Sequence, residues 1–214
     1  MPKEYELRFI NFKKKELISK LKSFGGKQIH KPIIYEYIVF KHPLEKKNTY
    51  IRVRKEFNHT TFTYKKKTNQ KFCDEYEIEV SDYDTLINML YMMGFKKLYG
   101  IQKLREKWFI NGCKEIVFDT YPGIPEYMEI ECDSEAKVLS LASKLNLKEE
   151  KMFHVPDILY NLYGIKPSKS KLTDWTFDTI KKIFIKRIKK NKSLFNNIVN
   201  VQQKYIKKIN EDKK

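Results

Sequence analysis

The sequence predicts an α+β fold: a closed eight-stranded antiparallel β-barrel with flanking helices and a basic, mostly helical C-terminal extension. Three observations predict it. About eight segments alternate charged and apolar residues with the period of two that strands require. Most are joined by short, turn-rich connections, which makes neighbours antiparallel. Segments with helical spacing of apolar residues fall between some of them. Closure into a barrel removes the exposed strand edges that such a sheet would otherwise present.

Residues 3–10 alternate as a strand. Residues 12–24 follow helical spacing through Leu17, Ile18, Leu21 and Phe24, and Gly25-Gly26 stops them. Residues 28–41, rich in Ile, Tyr and Val, read as a strand. Residues 49–57 and 60–67 form a hairpin around Asn58-His59, and 74–80 form another strand. Asp82 can cap a helix over 82–93, with Leu86, Met89, Leu90 and Met93 on its apolar side. Residues 95–110 read as one long strand, and Asn111-Gly112 supplies a hairpin turn that needs positive φ. Residues 114–120 and 126–132 pair across Pro122-Gly123, and 134–145 read as a helix. A short helix over 155–163 ends at Gly164. From 174 to 209 the pattern is helical and basic, broken by the polar run Lys189-Lys190-Asn191-Lys192-Ser193. Residues 1–165 therefore read as one domain and 166–214 as a basic extension.

The chain has 214 residues, 41% hydrophobic and 33% charged, which suffices for one well-cored domain with an appendage. A formal net charge of +17 favours polyanionic partners. From Thr176 to Lys214 there are 12 Lys and Arg against 3 Asp and Glu, or +9 of that total. The three cysteines, Cys73, Cys113 and Cys132, are odd in number and lack Cys-x-x-Cys spacing. A disulfide or zinc site is not expected, and a reducing, cytoplasmic compartment is. No apolar run reaches the ~18 residues of a membrane span, and no membrane role is expected. His30, His42, His59 and His154 are scattered, and Trp108 and Trp175 read as packing residues.

The chemistry lies in the strands. Glu4/Glu6, Glu77/Glu79 and Glu129/Glu131 are Glu-x-Glu pairs, so each pair shares one face at about 6.5–7 Å. Arg8 continues the face of Glu4 and Glu6. Arg52/Arg54 and Lys103/Arg105 form basic pairs, and Lys65 follows Thr63. The opposite faces are apolar: Tyr5, Leu7 and Phe9; Ile51 and Val53; Tyr76, Ile78 and Val80; Met128 and Ile130. Alternation alone leaves open whether the charged faces meet solvent or line an interior. Like charges ~7 Å apart repel by roughly 2–2.5 kcal/mol at an effective dielectric near 20. Hard divalent cations such as Mg²⁺ or Mn²⁺ relieve this, and neighbouring Arg and Lys suit phosphate oxygens.

These motifs resemble, in order, those of the CYTH superfamily, the triphosphate tunnel metalloenzymes. The opening Glu-x-Glu-x-Lys is similar to Glu4-Tyr5-Glu6-Leu7-Arg8. The family's "LRIR" strand resembles Tyr50-Ile51-Arg52-Val53-Arg54, and its "LTYK" strand resembles Phe62-Thr63-Tyr64-Lys65. Its acidic strand resembles Glu75-Tyr76-Glu77-Ile78-Glu79-Val80, and its Lys-x-Arg strand Lys103-Leu104-Arg105. Its "D-x-x-PGIP…EIE" segment resembles Asp119 through Pro125, continued by Glu129-Ile130-Glu131. The resemblance implies an inward charged face in an eight-stranded triphosphate tunnel. It implies that Glu4, Glu6, Glu129 and Glu131 hold Mg²⁺ or Mn²⁺, with Glu77, Glu79 and Asp119 serving a second ion or orienting the others. It implies that Arg8, Arg52, Arg54, Lys65, Lys103 and Arg105 bind the triphosphate. Arg8 departs from the usual lysine, Glu75 from a frequent basic residue, and 33–43 lacks the common Gln-x-Asp-x-Tyr pattern.

The expected reaction is metal-dependent hydrolysis of a terminal phosphoanhydride of inorganic, nucleoside or thiamine triphosphate. Lys65 is the candidate for assisting the attacking water or the leaving group. The alternatives are class IV adenylate cyclase chemistry, an RNA 5′-triphosphatase, or a non-catalytic polyphosphate- or nucleotide-binding module. The basic extension could bind RNA or another polyanion.

Overall fold

The computed structural model describes residues 5–41, 43–44, 49–67, 73–147, 155–165 and 174–211. Eight strands form one sheet: β1 (Tyr5–Phe9), β2 (Lys27–Lys41), β3 (Thr49–Lys55), β4 (Thr60–Lys67), β5 (Cys73–Val80), β6 (Lys96–Phe109), β7 (Cys113–Thr120) and β8 (Tyr127–Cys132). Their order is β1-β8-β7-β6-β2-β3-β4-β5. The helices are α1 (Lys14–Ser23), α2 (Tyr83–Met92), α3 (Glu135–Lys144), α4 (Val155–Tyr163), α5 (Ile180–Phe184) and α6 (Lys192–Glu211). The chain forms two compact units, and β2 and β6 contribute residues to both. One unit contains Ile34–Lys103 and 174–176; the other contains Tyr5–Ile33, Leu104–Ser168 and Phe177–Lys214.

In the unit containing β3, β4 and β5, antiparallel register places Arg52 opposite Thr63 and Thr63 opposite Glu77. The odd-numbered side of β3 is apolar: Ile51 and Val53 pack with Phe40 and with Ile87 and Leu90 of α2. Asp82 caps α2 by accepting a 2.5 Å hydrogen bond from the Thr85 N–H. On β5 the structure departs from the expected burial, since Tyr76 and Ile78 are 52% and 61% exposed. β5 ends the sheet order, two strands beyond the β3 residues that α2 covers. Trp175 is buried beside β6 and accepts and donates backbone hydrogen bonds with Gln102 and Gly100, as a packing residue.

In the unit containing β1, β7 and β8, the core lies between the sheet and helices α1 and α3. Phe9, Trp108, Ile116, Phe118, Met128 and Ile130 from the strands meet Leu17, Leu21, Val138 and Leu141 from the helices. Each of these strands sends its alternate residues to the opposite, charged face. Ser134 caps α3 through its Oγ, which accepts from the Lys137 N–H at 3.3 Å. The C-terminal helices belong to this same unit, and Asn191, with φ 54°, separates α5 from α6 where the polar run predicts a break.

The expectation of no disulfide is corrected: Cys113 and Cys132 are bonded across β7 and β8. The two cysteines are 19 residues apart, but register places them directly opposite each other. The count of cysteines and their lack of Cys-x-x-Cys spacing carry no information on which residues face each other across a ladder. Among the described residues, no helix is long and apolar enough to cross a membrane.

Candidate functional site

Each unit carries one charged sheet face. In the unit of β1, β7 and β8, Glu6 on β1 stands opposite Glu131 on β8, and Glu131 stands opposite Glu115 on β7. Three carboxylates thus occupy one rung of three adjacent strands. On the neighbouring rung Arg8 stands opposite Glu129, and Glu129 opposite Val117. Like charges directly opposite one another are unfavourable, so cations must intervene. Arg8 does so between strands, its Nε donating to Glu129 at 2.6 Å and its Nη2 lying 2.8 Å from Glu6. Burial opposes the charge of Arg8, but Glu129 and then Glu6 outweigh it and hold its pKa above that of a free arginine. Lys114 lies 3.0 Å from Glu131.

Arg105 is the hub of this face. Its Nε and Nη2 donate to Asp119 at 2.8 and 2.7 Å, a bidentate pair, and Asp119 is fully buried. Its Nη1 donates to Glu115 at 2.9 Å, and its Nη2 reaches Glu129 at 3.3 Å. One guanidinium therefore ties three acids from two strands. Glu115 was not singled out by sequence. Its signal was alternation from Asp119, but Val117 between them hides the acidic spacing. Not every buried charge lies on this face: Glu106 accepts from Gln28 and from the Trp108 indole N–H on the helix-covered side.

In the unit of β3, β4 and β5, three rungs carry the charges: Tyr50, Lys65 and Glu75; Arg52, Thr63 and Glu77; Arg54, Thr61 and Glu79. Thr63 donates to Glu77 at 2.6 Å, and Arg52 Nη2 donates to the same carboxylate oxygen at 3.3 Å. Lys65 Nζ lies 2.7 Å from Glu75. Arg54 Nε donates to Glu56 at 2.5 Å and its Nη2 lies 3.7 Å from Glu77. Tyr37 and Tyr35 of β2 place their rings 5.8 and 5.9 Å from the Arg52 and Arg54 guanidinium carbons. Among the described residues, Arg52 Nε is a buried donor without a hydrogen-bond partner. Burial works against the charge of Arg52, yet Tyr50, Glu77 and Glu75 raise its pKa overall. Lys103 is buried at 4% exposure.

Of the acids marked by sequence, Glu6, Glu129, Glu131 and Asp119 share one unit. Glu77 is held among Thr63, Arg52 and Arg54, whereas the Glu79 side chain is 76% exposed and 3.9 Å from His59. Glu4, His42 and His154 lie outside the described residues. Among the described residues, no three His, Cys, Asp or Glu groups converge as they stand into a metal cage. Arginine and lysine pair with the carboxylates instead.

No curated protein matches the chain. Among solved structures, an adenylate cyclase candidate from Vibrio parahaemolyticus is similar at a TM-score of 0.62 and 14% identity, covering 73% of this chain and 97% of that one. The PH1012 protein of Pyrococcus horikoshii is similar at 0.56 and 22%, covering 68% and 92%. HpAC1 of Hippeastrum, whose structure is described with a dominant triphosphatase activity, is similar at 0.50 and 14%, covering 79% and 98%. At these identities the likeness is one of fold. A family model for the CYTH domain matches residues 2–157, and with the Glu-x-Glu and Arg-x-Arg strands in family order the chain belongs to the CYTH family.

Proposed function

We propose that this chain is a divalent-metal-dependent hydrolase that releases the terminal phosphate of a triphosphate substrate. The observation that carries this reading is the rung Glu6, Glu131 and Glu115, with Arg8, Arg105, Lys107 and Lys114 as its surrounding cations. A rung of carboxylates is an all-oxygen donor set, which fits Mg²⁺ or Mn²⁺ and not a thiophilic metal. Glu6, Glu129 and Glu131, with Glu4, would hold the ion, and a second ion would draw on Glu77 and Glu79. When bound, the ion supplies Lewis acidity toward phosphoryl oxygens and acidifies water.

The chain's own groups do the rest. Arg8, Arg105 and Lys103, and Arg52, Arg54 and Lys65, donate to phosphate oxygens and stabilise charge on the leaving oxygen. The partnerless Nε of Arg52 supports an acceptor being supplied by a ligand. Asp119 holds Arg105 by a bidentate contact and so fixes the plane of its fork. Lys65, paired with Glu75, serves the leaving group or the attacking water. Closure of the sheet into a tunnel belongs to the same reading and is supported by family membership.

A second reading, RNA 5′-triphosphate as substrate, is favoured by one feature. Residues 179–210 contain nine lysines and one arginine and no acid, and these lysines are exposed. The test is a panel of tripolyphosphate, thiamine triphosphate, ATP and 5′-triphosphate RNA, each with Mg²⁺ and with Mn²⁺. Metal-dependent phosphate release supports the hydrolase. Cyclic AMP with pyrophosphate from ATP replaces it by cyclase chemistry. Binding without turnover of any substrate replaces it by a binding module.

A further inference from the structure

The turn between β7 and β8 is held from outside the matched family domain. Gln202 of α6 is 7% exposed, and its side-chain amide uses both of its ends on the turn backbone. Its Oε1 accepts from the Gly123 N–H at 2.8 Å. Its Nε2 donates to the Tyr121 carbonyl at 3.1 Å and to the Ile124 carbonyl at 2.9 Å. The Tyr163 hydroxyl donates to the Gly123 carbonyl at 2.8 Å. Gly123 has φ 78°, and a Cβ there would lie 2.8 Å from the Phe195 ring of α6. Phe195 in turn meets Tyr163 edge to face at 5.3 Å. Tyr163 and α6, both beyond residue 157, thus bind the four polar backbone groups just named, of which the turn itself pairs the Tyr121 carbonyl, with the Ile124 N–H at 3.2 Å.

The turn feeds the charged face directly. Its two stems meet at Asp119 and Tyr127, which stand opposite each other in register. Asp119 holds Arg105, and Arg105 reaches Glu129, which is two residues from Tyr127. A shift of the turn therefore moves Asp119 and Glu129 against each other. We propose that Gln202 is a positioning residue for the carboxylates of β8, so that the C-terminal helices are an integral strut of the metal site. The proposal rests on the metal-dependent reading given above. Truncation at the end of the family domain would leave the motif residues in place and remove the groups that fix their spacing.

The experiment compares full-length Gln202→Met with Gln203→Met. Gln203 lies on the same helix, and its Nε2 donates to the Phe177 carbonyl at 3.1 Å, away from the turn. Direct Mn²⁺ binding by calorimetry and the Mg²⁺ concentration for half-maximal phosphate release are measured, with thermal unfolding alongside. Gln202→Met is expected to weaken both about tenfold, the loss seen when groups that orient metal ligands are removed. Gln203→Met is expected to leave both unchanged. Gln202→Asn, which keeps an amide but is one methylene too short for the turn, should shift them in the same direction and serves if the Met variant fails to fold. Equal shifts in the Gln202 and Gln203 variants, or none in either, overturn the proposal while leaving the metal reading intact. Wild-type protein that binds no Mn²⁺ overturns the metal reading and this proposal with it.

Discussion

Glu131 on β8 stands directly opposite Glu6 on β1, and the two carboxylates are neutralised from different sides, Glu6 by Arg8 and Glu131 by Lys114. A sheet built only for stability gains nothing from this facing pair, because like charges across a ladder destabilise it. Glu131→Gln removes the repulsion and weakens the pair to the exposed Lys114, worth about 0–1 kcal/mol. The variant should keep a thermal midpoint close to wild type and lose metal-dependent phosphate release by at least about a hundredfold. Colorimetric phosphate assays beside calorimetry check it, and wild-type turnover in the variant would sink the assignment.

Arg105 gives the largest stability prediction. Arg105→Met leaves the buried Asp119 without its bidentate partner and also removes one of the cations paired with Glu115 and with Glu129, which keep Lys107 and Arg8. Removing one partner of a buried pair costs about 3–5 kcal/mol. Urea unfolding should show that loss, and Arg105→Lys should restore little of it, since an ammonium cannot reproduce the fork. A Lys variant of wild-type stability would show that point charge suffices.

Asp174 carries a pH dependence. Burial alone would raise its pKa, but the Lys97 ammonium at 2.9 Å and the Gly100 N–H at 2.7 Å outweigh it and lower the value. A carboxylate with a depressed folded-state pKa stabilises the fold above its unfolded value of about 3.9. That contribution disappears as pH falls through the lower folded-state value. Asp174→Asn should be less stable at neutral pH and show a flatter decline in thermal midpoint as pH falls below about 4. Parallel acid limbs in the two proteins would contradict this.

Two glycines with similar backbone angles separate conformational strain from packing. Gly25 has φ 82° with nothing within 4 Å of an added Cβ, whereas at Gly123 a Cβ would meet Phe195 at 2.8 Å and Ile180 at 3.2 Å. Gly25→Ala should cost about 1–2 kcal/mol for the left-handed backbone alone. Gly123→Ala should cost roughly 1–3 kcal/mol more, the usual range for overpacking. Equal losses on urea unfolding would mean that α6 yields freely at the turn.

Local patterns carried much of the fold. The period of two along Glu129, Ile130 and Glu131 assigned one face to charge and the other to the core, and Asp82 and Ser134 marked helix starts that the structure repeats. The polar run around Asn191 marked the break between α5 and α6. Two further features were not legible. Glu115 is separated from Asp119 by Val117 on the same face, so nothing in its own strand marks it as part of an acidic rung. Tyr76 and Ile78 carry a core pattern yet remain exposed, because covering a strand depends on where a helix lands.

The sequence by itself determined which residues share a face, because side-chain direction along a strand follows from the backbone alone. The ordered motifs likewise carried the family. Only the tertiary structure decided which residues face each other across strands: Glu6 with Glu131, Glu131 with Glu115, and Cys113 with Cys132. It alone brought Gln202 to the Gly123 turn, 79 residues away. Register between strands far apart in the chain, such as β1 and β8, and helix docking are set by the sum of distant contacts, and no local spacing encodes that sum.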